Sequence, residues 1–168
     1  MADRNVHRAT QMTDLVFVLN GPNLNLLGSR EPRIYGTQTL DDIRGMMEQR
    51  AKGLKLTLDV RQSNHEGVIV DWLQESMAKA SAVVINAGAY AHSSIAIRDA
   101  VAALSIPVIE VHLTNIYARE GFRRQSLLGQ VARGSILGLG PLGYLLALDA
   151  AAHLCKGAAA SQAKGQIQ

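Results

Sequence analysis

"AVVINAGAYAHSSIAIRDAVAALSIPVIEVHL", Ala82 to Leu113, carries one unit of the fold from end to end. The run Ala82–Asn86 is short, rich in β-branched residues and nearly all apolar, as a strand buried on both faces should be. A helical pattern follows from about Ser94 to Leu104, and then a second apolar run, "PVIEVHL", from Pro107 to Leu113. Strand, helix and strand in this order describe parallel neighbours joined by a crossover helix.

The same alternation extends in both directions. "LVFVL" (Leu15–Leu19), "LTLDV" (Leu56–Val60) and "SILGL" (Ser135–Leu139) read as further strands. Helices are expected from Thr39, whose "TLDD" resembles a capping box with Asp in place of Glu, from about Gly67 to Lys79, and after Pro141. His65 and Glu66 in "SNHEG" read as caps of the second helix. Five βα units imply a doubly wound parallel sheet, and flavodoxin-like order 2-1-3-4-5 is the natural five-stranded choice. Residues 14–156 form a single α/β domain on this reading, with an N-terminal tail over 1–13 and a C-terminal tail over 157–168.

Composition narrows the function. The chain has 168 residues, 48% of them hydrophobic and 18% charged, which suits one soluble globular domain. Only 4% is aromatic, too little to build stacking platforms for single-stranded nucleic acid. The net charge of +3 comes from scattered basic residues, apart from Arg30 with Arg33 and Arg119 with Arg123 and Arg124. That clustering suits a small anion rather than a polyanion. The single Cys155 cannot close an internal disulfide, and "MADRNVHRATQMTD" lacks the apolar stretch of a secretory signal. The most apolar segment, Ser135–Cys155, is interrupted by Pro141, Asp149 and His153 and reads as strand and helix, not a membrane span. A cytoplasmic protein is expected.

In an open α/β sheet the ligand crevice lies beyond the carboxyl ends of the strands, where strand order reverses. Three loops meet there: "NGPNLNLLGSREPRIYG" after the first strand, "NAGAYAHSS" after the third and "HLTNIYAREGFRR" after the fourth. They bring amides, hydroxyls, two histidines and arginines, but no lysine, which argues against imine chemistry. No metal-ligand spacing and no GxSxG elbow is present. "GLGPLG", Gly138–Gly143, matches a dinucleotide fingerprint but opens the last helix, with too little chain beyond it for the βαβ unit, and reads as close helix–strand packing. What remains is acid–base work by His and Tyr on an anion held by arginine and amides. The rival is a flavodoxin-like binding module for flavin or a phosphorylated ligand, although "NGPNLNLLG" lacks the hydroxyls such a loop would carry.

"LNGPNLNLLGSREPRIYG", "QSNHEG", "NAGAYAHSSIAIRDA" and "IEVHLTNIYAREGFR" together resemble the type II 3-dehydroquinate dehydratases, from about Leu15 to Ala152, in matching order and spacing. The resemblance implies a flavodoxin-like enzyme that converts 3-dehydroquinate to 3-dehydroshikimate with neither metal nor cofactor, usually as a dodecamer built from trimers. It implies Tyr35 as the base, working with Arg30, and Asn23 as the stabiliser of the enolate through an ordered water. His112 would be the general acid, and strand period puts Glu110 on its face to orient the ring. Arg119 would help Arg30. Asn86, His92, Leu113, Thr114 and Arg123 match the substrate grip, with Thr114 where many members carry Ser. Asp99 matches an aspartate that reaches a neighbour's active site across the trimer. The expected partners are thus a small anionic substrate and further copies of the chain, with no nucleic acid and no membrane.

Overall fold

A computed structural model describes residues 13–29 and 37–165. Five strands form one parallel sheet, β1 (Asp14–Asn20), β2 (Leu56–Gln62), β3 (Ala82–Asn86), β4 (Val108–His112) and β5 (Gly134–Leu137), in the order β2-β1-β3-β4-β5. β3 and β4 are buried along their whole length and β1 along its last five residues, as their apolar runs require. The edge strands β2 and β5 are only partly buried.

Alternation along each strand feeds two cores. Val16, Val18, Val84, Ile109 and Val111 face a layer made by α1 (Leu40–Leu54) and α5 (Leu142–Gly165). Phe17, Leu19, Val83, Ile85 and Val108 face α2 (Glu66–Lys79), the single-turn α3 (Tyr90–Ser93) and α4 (Ile95–Ala102). The expected five-stranded, doubly wound architecture is present, order included.

Local chemistry sets the helix boundaries. Thr39 Oγ1 accepts the Asp42 N–H at 3.1 Å while Asp42 Oδ2 accepts the Thr39 N–H at 2.8 Å, so Asp completes the capping box despite its shorter side chain. The Thr39 backbone N–H and hydroxyl hold the Asp42 carboxyl below its usual range. Ser94 caps α4 by accepting the Ile97 N–H at 2.9 Å. His65 stands at the start of α2 but caps nothing with its side chain; Ser63 Oγ instead accepts the His65 N–H at 3.0 Å. α5 continues past residue 156 to Gly165. The alanines of "KGAAASQAKG" are strong helix formers and carry it on. "GLGPLG" does pack closely, since a Cβ on Gly138 would lie 3.0 Å from Asn115 and one on Gly143 3.4 Å from Val111. Among the described residues, no helix is long and apolar enough to cross a membrane.

Candidate active site

β1 and β3 are neighbours in the sheet, but their following helices pack on opposite faces, so the loops beyond them part and leave a crevice. The pocket there encloses about 770 Å³ of free space, open solvent at its mouth included, which suits a small molecule. Asn23, Asn86, His92, His112, Leu113, Thr114, Arg119 and Arg123 all line it. No described carboxylate does, while two imidazoles and two guanidiniums do, so the pocket favours an anion.

Asn23 follows Pro22 at φ 66°, a left-handed conformation that asparagine tolerates better than most residues. Its N–H donates to Asn64 Oδ1 at 3.0 Å, and Gln62 Nε2 donates to the same oxygen at 3.0 Å. The loop after β2 therefore holds the loop after β1. Gly21 permits this turn to press against the loop after β3: a Cβ there would sit 2.3 Å from the Ala87 carbonyl oxygen.

His112 ends β4. Its Nε2 lies 2.8 Å from Glu110 Oε1, two residues earlier on the same strand face. A carboxylate only accepts, so Nε2 carries the proton and Nδ1 is the ring atom left for other partners. Glu110 is fully buried. Burial pushes its carboxyl up, but the hydrogen bond and charge of His112, with the Ser126 and Ser135 hydroxyls, outweigh it and hold Glu110 below the usual range. Ser126 Oγ donates to Oε1 at 2.5 Å and Ser135 Oγ to Oε2 at 2.8 Å.

The His92 ring stacks on His112, centroids 5.8 Å apart. His92 Nδ1 lies 2.8 Å from the Gln125 carbonyl oxygen, an acceptor, which puts the proton on Nδ1. Arg119 Nη1 donates to Thr114 Oγ1 at 3.4 Å. Arg123 Nε is buried without a hydrogen bond, 3.4 Å from Glu120 Oε2.

Of the other residues expected at the site, Glu110 stands behind His112 rather than in the pocket wall. Asp99 lies on α4 away from the pocket, paired with Arg98 at 2.8 Å and mostly exposed. Tyr35 and Arg30 lie outside the described residues. The sequence reading missed Ser126 and Ser135, although Ser135 is the β5 register partner of Glu110 and strand pairing alone would have placed it there. It also missed Tyr144, hidden in the apolar "GYLLAL".

The profile described as "Dehydroquinase class II" matches residues 14–152. The chain belongs to this family. A class II dehydroquinase chain should have relatives that match nearly end to end, and it does. It is 54% identical over 139 residues to a 3-dehydroquinate dehydratase of Rhizobium johnstonii, covering 83% of this chain and 96% of that one. With the 3-dehydroquinate dehydratase of Brucella canis it shares 55% identity over 145 residues, covering 86% and 92% of the two chains. The crystal structure of a type II dehydroquinase from Propionibacterium acnes matches with a TM-score of 0.82 at 44% identity, covering 84% of this chain and 98% of that one.

Proposed function

We propose that the protein is a 3-dehydroquinate dehydratase that eliminates water from 3-dehydroquinate to give 3-dehydroshikimate through an enolate. The observation that carries the reading is His112: backed by a buried carboxylate, with Nδ1 unpartnered among the described residues, in the wall of a pocket shared with Arg119, Arg123 and Asn23.

In this mechanism the Tyr35 phenolate takes the proton beside the ketone. The C–H electron pair moves into the enolate, whose oxygen is stabilised by Asn23 through an ordered water; such preorganised donors are worth about 3 kcal/mol each. Collapse of the enolate breaks the C–O bond, and the departing hydroxyl takes the proton of the His112 imidazolium and leaves as water. Glu110, an acceptor at Nε2, holds the ring in this orientation. Lowering a phenol by three units to act at neutral pH requires about 4 kcal/mol. One adjacent guanidinium supplies about one to three units, so Arg30 alone is barely sufficient and Arg119 assists.

Arg123 pairs with the substrate carboxylate in a two-pronged fashion, flanked by the main-chain N–H groups of Leu113 and Thr114. Asn86 and His92 hold ring hydroxyls. Asp99 serves a neighbouring subunit's site in a trimer, four trimers forming the dodecamer, and the enzyme works in the cytoplasm without metal or cofactor.

The test is direct: mixing the purified protein with 3-dehydroquinate should produce a steady rise in near-ultraviolet absorbance from the conjugated enone. Folded protein that gives no rise would end this reading.

A further inference from the structure

Under the pocket a buried polar chain runs from Asn86 to Tyr144 and Asn20, two residues that the proposed chemistry leaves unused. Asn20 ends β1 and Asn86 ends β3; they are register partners, and strand alternation turns both toward α5. Tyr144, fully buried in the first turn of α5, reaches both. Its hydroxyl donates to Asn20 Oδ1 at 2.6 Å and accepts from Asn86 Nδ2 at 3.0 Å.

The direction of this chain is forced from both ends. Asn20 Nδ2 donates to the Arg61 carbonyl at 3.1 Å, a group that only accepts. Asn20 therefore turns its oxygen to Tyr144, and the phenol spends its one proton there. Burial holds that phenol far above its ordinary range, so the proton stays. The phenol oxygen is left to accept, and only the amide nitrogen of Asn86 satisfies it. At the far end the Gly88 N–H, which only donates, meets Asn86 Oδ1 at 3.2 Å. A flip of either amide would set donor against donor and acceptor against acceptor, at a buried site where such losses are costly. Asn86 lines the pocket; Asn20 and Tyr144 do not.

We propose that Tyr144, with Asn20 behind it, is a positioning residue that locks the Asn86 amide in one orientation toward the substrate. Asn86 then offers its second N–H and its second oxygen lone pair to the substrate in a fixed sense. The proposal rests on the dehydratase reading, in which Asn86 touches a ring hydroxyl.

A double-mutant cycle separates positioning from simple packing. Tyr144→Phe keeps the ring and removes the hydroxyl; it should lower kcat/KM by about tenfold or more, as loss of an orienting partner does. In an Asn86→Ala background the same change should cost no further activity, although it still lowers Tm. Equal activity losses in both backgrounds, or none in either, would overturn the proposal. Should Tyr144→Phe fail to assemble, Asn20→Ala enters the same cycle with the same expectation. A neutron structure of the unmodified protein gives an independent reading. It should show the Tyr144 hydroxyl deuterium aimed at Asn20 and the Asn86 nitrogen toward the phenol; the reverse assignment overturns the proposal. Absence of turnover in the unmodified protein counts against the dehydratase reading, while the neutron map still decides the amide orientation.

Discussion

Two carboxylate clusters lie on the same face of the sheet, level along the strands, and differ in what their partners allow. On β2, Arg61 donates to Asp59 and Glu75, sits 4.4 Å above the Phe17 ring and fastens α2 to the sheet. Lys79 adds a second contact to Glu75 at 2.8 Å. On β4, Glu110 is fully buried and holds His112, Ser126 and Ser135. Arg61, held above its already high range by Asp59 and Glu75, keeps its charge at any ordinary pH, so its cluster can only hold structure together. An imidazole gains and loses its proton near neutrality, so the second cluster can move one. The difference in partner separates a staple from the proposed proton device.

That contrast is broken most severely at His112. His112→Ala should lower kcat on the order of a thousandfold, within the range for loss of a general acid, while the protein stays folded. Steady-state kinetics beside a thermal melt check both halves. Glu110→Gln keeps the size of the side chain but not its charge, and should cost roughly tenfold to a hundredfold in kcat. A variant with wild-type kcat would remove Glu110 from the mechanism.

The smallest effect belongs to the staple. Glu75→Gln should leave turnover unchanged and lower the denaturant midpoint only slightly, as loss of a partly exposed ion pair does. Arg61, with Lys79 behind it, lowers the Glu75 carboxyl from 4.5 to about 2. A depressed carboxyl binds fewer protons folded than unfolded, so its stabilisation is complete above pH 4.5 and fades as the pH falls toward 2. Glu75→Gln should therefore flatten the acid limb of the stability curve between those values. An unchanged limb would show that the pair contributes nothing in solution.

Much of the fold was legible because the strands that decide it are buried on both faces and read as apolar runs. The reversal of strand order then named the loops that line the pocket, and strand period put Glu110 behind His112. What escaped is long-range. Ser126 and Ser135 look like ordinary polar residues until β5 pairs with β4, and Tyr144 looks like core until α5 lays its hydroxyl between two strand ends. The length of α5 escapes for a local reason: the glycines and polar residues of its Ala-rich end read as a tail, although alanine favours the helix.

The proposed mechanism assigns two proton transfers to two separate groups, and solvent exchange distinguishes them. In deuterium oxide, His112→Ala should still exchange the hydrogen beside the ketone of 3-dehydroquinate for deuterium, seen by proton NMR, while forming almost no enone. Tyr35→Phe should do neither. Exchange lost in His112→Ala, or enone formed there at the wild-type rate, would contradict the division of labour proposed between phenolate and imidazolium.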